Sequence, residues 1–228
     1  MKHIGIVGCS AEGAALCYKT ICTEGAKRLG AHRHPEISMH TPSLSEYVRY
    51  LDAGDLNGVG DLVLDSARRL ERAGADFLVC PDNTIHQAFD YVVERSPLPW
   101  LNIAEETAMV ARELQSKKVG ILGTRWLVES NVYPERFEAF GIDWMRPDPE
   151  EIAEIDRIIM DELVPGNFLA TSISYFQELI RKMKNRGADS VVLGCTEIPL
   201  IIRDDNSALP TLDSTRTLAR SALEAATA

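Results

Sequence analysis

Four short apolar runs mark the chain, at 3–9, 76–81, 119–123 and 189–194, each carrying β-branched residues. A run this short with apolar residues on both faces is what a strand buried in a parallel sheet requires. Between the runs, apolar positions recur at helical spacing. Over 58–73, Leu62, Leu64, Ala67, Leu70 and Ala73 share much of one side, and similar periodicity marks 103–115, 150–163 and 172–186. Gly74 and Gly187 follow segments that end in Arg or Lys, as the glycines that close helices do. Strands alternating with helices of this length predict parallel α/β units.

The pattern also repeats. Lys2-His3-Ile4-Gly5-Ile6-Val7-Gly8 returns as Lys117-Lys118-Val119-Gly120-Ile121-Leu122-Gly123, offset by 115 residues. Gly74-Ala75-Asp76-Phe77-Leu78-Val79 returns as Gly187-Ala188-Asp189-Ser190-Val191-Val192, offset by 113. Pro99-Trp100-Leu101-Asn102 returns as Pro210-Thr211-Leu212-Asp213, offset by 111. Three matches in the same order at nearly constant offset imply two similar halves. The fold expected is α/β, with two pseudo-symmetric, doubly wound parallel-sheet lobes and an active site in the cleft between them. Residues 1–112 form the first lobe and 113–212 the second, and a C-terminal helix at 213–228 packs back on the first.

Composition narrows the function. The 228 residues are 45% hydrophobic and 25% charged, ordinary values for a globular protein able to bury its own core. The 24 Lys and Arg against 34 Asp and Glu leave a net charge of −10, which argues against nucleic acid or an anionic membrane surface as partner. No stretch approaches the length of a membrane span, and the N-terminus lacks a signal-peptide core. The five cysteines, Cys9, Cys17, Cys22, Cys80 and Cys195, include no CxxC pair, which points to a reducing cytoplasm rather than to disulfides or structural zinc. His32 and His34 read as solvated loop residues, not metal ligands, and no Gly-rich phosphate fingerprint appears.

In parallel α/β sheets, ligands bind beyond the carboxyl ends of the strands. Four segments fall there: Gly8-Cys9-Ser10-Ala11-Glu12, Pro81-Asp82-Asn83-Thr84, Gly123-Thr124-Arg125 and Gly194-Cys195-Thr196-Glu197. Each joins small or hydroxyl residues to the backbone N–H groups of a starting helix, chemistry that suits a carboxylate. Within the repeat, Asp82 aligns with Cys195, Asn83 with Thr196 and Thr84 with Glu197. Lobes facing each other would set Asp82 and Cys195 on opposite sides of one cleft. Two acid/base groups so placed can remove a proton from a carbon and return one from behind.

Val192-Leu193-Gly194-Cys195-Thr196-Glu197-Ile198 resembles the second catalytic cysteine motif of the aspartate/glutamate racemase family. That group of cofactor-independent enzymes also includes hydantoin racemases, maleate isomerases and arylmalonate decarboxylases. Asn83-Thr84-Ile85-His86 is similar to the segment that follows the family's first cysteine. Gly123-Thr124 with Tyr133, and the approach Glu71-Arg72-Ala73-Gly74-Ala75-Asp76-Phe77, fit as well. The resemblance spans essentially the whole chain. There are departures. Asp82 stands where the family's first cysteine falls, and Cys80, two residues earlier, is placed by strand alternation in the interior. The N-terminal glycine loop is shortened to Gly8-Cys9-Ser10, and Leu163-Val164-Pro165-Gly166 lacks the lysine that some members carry there.

The resemblance implies a cofactor-independent racemase or epimerase, PLP-independent and homodimeric, with aspartate or glutamate as substrate and no metal. Cys195 is the expected main acid/base group and Asp82 its counterpart. Ser10, Asn83, Thr84, Thr124 and Thr196 are the expected ligands of the substrate's carboxylate and amino group. Glu197 is a candidate orienting residue for the Cys195 loop, and His86 a packing residue on its helix. With unlike groups on the two sides, Cys195 is expected to take its proton more readily than Asp82 does. The alternatives are a single-cysteine decarboxylase, isomerase or lyase on a small carboxylic acid, and a carboxylate-binding homologue without catalysis.

Overall fold

In the computed structural model, which describes residues 1–228, the chain forms two parallel-sheet α/β units of three and four strands. The first comprises Met1–Glu106 with Thr215–Ala228, the second Thr107–Ser214. The first runs β1 (Ile4–Val7), α1 (Ala11–Leu29), β2 (Ile37–His40), α2 (Leu44–Asp52), α3 (Leu56–Arg72), β3 (Phe77–Val79), a 3₁₀ turn over Thr84–Ala88, α4 (Phe89–Val93) and α5 (Ile103–Glu113). The second continues with β4 (Lys118–Leu122), α6 (Arg125–Val128), α7 (Pro134–Ala139), β5 (Asp143–Met145), α8 (Pro149–Ile158), a π turn over Ile159–Leu163, α9 (Ala170–Asn185), β6 (Ser190–Leu193), α10 (Ile198–Ile201) and β7 (Thr211–Asp213). The last helix, α11 (Ser214–Thr227), carries the chain back into the first unit. The contacts divide the chain between Glu106 and Thr107, inside α5, where the sequence reading sets a boundary after residue 112.

The strand order is β2-β1-β3 in the first sheet and β5-β4-β6-β7 in the second, all parallel. The first strand of each half is central in both. The internal repeat has a structural meaning at each of its three places. Gly74 and Gly187 adopt φ +91° and +95°, the left-handed conformation that ends a helix. The bonds around them match: Ala75 N–H donates to Leu70 O and Ala188 N–H to Met183 O, both at 3.0 Å. Asp76 then joins the strand before it, its N–H donating to His3 O at 2.8 Å and its carboxylate accepting from His3 N–H at 2.6 Å. Asp189 does the same to Lys118 O at 2.9 Å and Lys117 N–H at 2.7 Å. The third match is a strand in one half and its remnant in the other. β7 pairs with β6 over three residues, whereas Trp100 keeps a single parallel bridge to Leu78. Asn102, which follows that bridge, caps α5 by accepting from Ala104 N–H at 2.9 Å.

Both sheets are covered on both faces, which is why their strands read as continuous apolar runs. In the first, Ile4, Ile6, Phe77 and Val79 pack against Cys17 and Ile21 of α1, Ile103 of α5, and Leu218, Ala219 and Ala222 of α11. Residues of the other parity, such as Gly5 and Leu78, face Leu70 of α3. In the second, Leu122, Val191 and Leu193 pack against Ile155 of α8 and Phe176, Leu179, Ile180 and Met183 of α9. Val119, Ile121 and Val192 point to the opposite face and are equally buried. No helix is long and apolar enough to cross a membrane.

The C-terminal helix is thus core to the first unit. Leu218 is fully buried, while Arg220 makes an exposed ion pair to Glu24 at 3.1 Å. Leu218→Ala is expected to lower the unfolding free energy by about 2–5 kcal/mol in urea titration. Arg220→Ala is expected to cost less than about 1 kcal/mol, because exposed ion pairs are screened.

Candidate active site

The sequence-predicted residues fall into two groups, one at the strand ends of each unit. In the first unit β1 and β3 are neighbours in register, Ile6 opposite Val79, so the loops that follow them emerge side by side. Ser10, in the first loop, accepts from Gly13 N–H at 3.2 Å and starts α1. Asp82, Asn83 and Thr84, in the second, lead into the 3₁₀ turn, with Asn83 and Thr84 buried. In the second unit β4 and β6 are likewise neighbours, Leu122 opposite Leu193. Thr124 precedes α6, and Cys195 and Thr196 precede α10.

Asp82 is held by its own loop and by a residue that no pattern along the chain singles out. Its Oδ1 accepts from Ile85 N–H at 3.1 Å, closing the 3₁₀ turn. The same oxygen accepts from the Tyr47 hydroxyl at 2.9 Å. Tyr47 projects from α2 and is buried; burial and the Asp82 carboxylate both push its phenol well above the usual range, so it stays a donor. Nothing local in the sequence marks a tyrosine 35 residues upstream as a partner of Asp82, because the contact exists only once α2 is packed.

His86 does more than pack on its helix. Its Nε2 accepts from Ile103 N–H at 3.2 Å, so the ring is the Nδ1–H tautomer, and Nδ1 donates to Asp82 O at 2.9 Å. The imidazole ties the Asp82 loop to the start of α5, and it stacks on Phe89 with centroids 5.2 Å apart.

The thiols near Asp82 lie in the interior. Cys80 is fully buried, on the interior side of the strand end. A hydrogen bond to Cys80, burial and the nearby Asp82 charge hold the Cys9 thiol well above its ordinary pKa. Cys17 is raised by burial. Cys9 and Cys17 stay protonated, and all three buried thiols serve as small core residues.

The Cys195 turn depends on close backbone approach. Gly194 N–H donates to Leu122 O at 2.7 Å, and a Cβ at Gly194 would lie 2.6 Å from that oxygen and 2.6 Å from Leu127 Cδ2. Any larger residue would push the turn away from β4. Cys195 is partly exposed, and its thiol donates to Glu197 Oε2 at 2.9 Å. The Thr196 hydroxyl donates to the same oxygen at 2.7 Å, and Glu197 itself is buried. Tyr133 is buried beside the turn, its ring 3.6 Å from where a Cβ at Gly194 would lie; it stacks on Phe137, and burial raises its phenol too.

Two outcomes follow from this geometry. Iodoacetamide is expected to label Cys195 and Cys22, the partly exposed thiols, while Cys9, Cys17 and Cys80 stay protected until the protein unfolds, as read by peptide mass mapping. Tyr47→Phe removes one donor to Asp82 and nothing else, and is expected to lower stability by about 0.5–3 kcal/mol in urea titration.

The sequence matches the model of the Asp/Glu/hydantoin racemase family over residues 5–222. It is 27% identical over 161 residues to the broad specificity amino-acid racemase RacX of Bacillus subtilis (strain 168), a match covering 70% of this chain and 68% of that one. A crystal structure of a Yersinia pestis protein, provisionally described as an Asp/Glu racemase, superposes with a TM-score of 0.90 at 30% identity and covers 100% of both chains. An aspartate racemase homologue from Pyrococcus horikoshii OT3 superposes with a TM-score of 0.86 at 27% identity, again over 100% of each chain. The family match spans nearly the whole chain, and the chain belongs to the Asp/Glu/hydantoin racemase family.

Proposed function

We propose that the chain racemises an acidic amino acid, aspartate or glutamate, by taking the proton from Cα on one face and returning a proton on the other, without a cofactor. The coarser part of this follows from the family: the chain is an amino-acid racemase, an isomerase. The observation that supports the finer part is the equivalent placement of two acid/base groups. Asp82 follows β3 and Cys195 follows β6, at matching places in two halves of one repeated topology.

In this reading Cys195 exchanges the proton on one face of Cα and Asp82 on the other. A free thiol is only a few per cent thiolate at neutral pH, so its surroundings must help it act as a base. Ser10, Asn83, Thr84, Thr124 and Thr196 receive the substrate's α-carboxylate and amino group. Removing the Cα proton builds charge on the carboxylate oxygens, and preorganised donors stabilise that charge by about 2.7–4 kcal/mol each in well-studied enzymes. With no electron sink in the mechanism, this stabilisation carries much of the reaction. A cytoplasmic homodimer completes the proposal; the five free cysteines suit a reducing compartment.

Asp82 in place of a thiol favours one second reading, a single-cysteine decarboxylase, isomerase or lyase acting on a small carboxylic acid. Proton NMR in D₂O separates the two. With either enantiomer of aspartate or glutamate, loss of the Cα–H signal without new carbon species is expected, and chiral analysis of the same samples should show inversion. Release of carbon dioxide or a new double bond would establish the second reading instead. Cys195→Ala is expected to slow exchange by about 10²–10⁴-fold. Asp82→Asn is expected to slow one direction of isotope exchange more than the other, since it removes a group from one face.

A further inference from the structure

The mechanism just described leaves a buried carboxylate unused. Glu197 is 2% exposed. Its Oε2 accepts from both the Cys195 thiol and the Thr196 hydroxyl, at 2.9 Å and 2.7 Å. Its Oε1 is buried and meets no donor. The side chain sits at the start of α10, yet it makes no bond to that helix's backbone, so capping does not explain it. A thiol–oxygen distance of 2.9 Å equals that of an ordinary N–H···O bond, although sulfur is the larger atom. A glutamine would tie the turn together with less desolvation than a carboxylate that has one oxygen unpaired.

We propose that Glu197 shares a proton with Cys195 and is the positioning residue that lets this thiol work as both acid and base. The proposal rests on the reading of Cys195 as an acid/base group. In one form the Cys195 S–H bond is intact and donates to the Glu197 carboxylate. In the other that bond breaks, its electron pair stays on sulfur, and the proton forms an O–H bond at Glu197 Oε2. The pair carries one negative charge in both forms, so a thiolate arises without adding charge to a buried site. The thiolate then takes the Cα proton: an S–H bond forms, the C–H electron pair stays on the substrate, and the pair holds two protons. A protonated Asp82 gives its proton to the opposite face of Cα and becomes the carboxylate. The reverse sequence handles the other enantiomer. The Thr196 hydroxyl, bonded to the same Oε2, keeps that oxygen aimed at the sulfur through the exchange.

The sign of one measurement separates this role from that of a fixed anion. A fixed negative charge beside a thiol disfavours the thiolate, so neutralising it would speed alkylation of Cys195. A proton acceptor favours the thiolate, so removing it slows alkylation. The rate of Cys195 modification by iodoacetamide is measured by peptide mapping at constant pH, without substrate, in the wild type, Glu197→Gln and Glu197→Asp. Glu197→Gln is expected to react at least about fivefold more slowly, since the thiolate is the reactive form, and Glu197→Asp is expected to fall between it and the wild type. An unchanged or faster rate in Glu197→Gln overturns the proposal. Should that variant fail to fold, Glu197→Asp decides alone, a slower rate supporting proton sharing and an equal or faster one overturning it. In the racemisation assay Glu197→Gln is expected to lower kcat at least about tenfold while KM changes less than about twofold, because the lost interaction acts on the proton transfer rather than on substrate binding. Slowed alkylation in a protein whose wild type shows no Cα exchange would support the proton-sharing pair and refute the racemase reading, so the two fail separately.

Discussion

Everything at the strand ends depends on the register of one parallel strand pair in each unit. β1 and β3 meet with Ile6 opposite Val79, and β4 and β6 with Leu122 opposite Leu193. A slip of one residue would turn every side chain of a strand to the other face of its sheet. Register is fixed where each pair begins. The carboxylates of Asp76 and Asp189 accept from backbone N–H groups at the start of the adjacent strand, while their own N–H groups join the ladder. The glycine-closed helix end just before each aspartate delivers the chain at the right angle. A short motif at the foot of the sheet therefore determines which residues appear at its top.

From that shared frame the two halves diverge. In the first unit the strand-end acid is a carboxylate, held as an acceptor by the Tyr47 hydroxyl and by the amide of its own turn. In the second it is a thiol, held as a donor to the Glu197 carboxylate. The alignment of the halves puts Asp82 opposite Cys195 and Thr84 opposite Glu197, so the divergence is a change of residue type at fixed places. A carboxylate and a thiol differ in acidity by several pKa units in water. An enzyme that uses one of each must then compensate through their neighbours. In the proposed reaction the polar residues around each group, and not the groups alone, would set which of them gives a proton and which takes one.

Much of this was legible along the chain. The apolar runs and helical periodicities located β1, β3, β4, β6 and the long helices α3, α5, α8 and α9, because burial on both faces of a sheet and on one face of a helix leaves a mark on every residue. The short strands β2, β5 and β7 left a fainter trace, and the partial fourth strand at Trp100 appeared only as a copy of its counterpart. Cys195, Asp82 and the hydroxyl residues around them stood out as polar residues directly after buried strands.

By itself the sequence determined the α/β class, the twofold repeat and the positions at which chemistry could reside, since all three follow from the spacing of neighbouring residues. Tertiary structure alone decided what those positions touch. Tyr47 reaches Asp82 because α2 packs over the strand ends, and His86 fixes the same loop because α5 starts beside it. Gly194 is needed because β4 lies against it. Glu197 turns toward sulfur rather than toward its own helix because the turn at Cys195 is held by that close approach. These contacts join residues whose separation along the chain carries no periodic signal, and their existence depends on packing that no local pattern encodes.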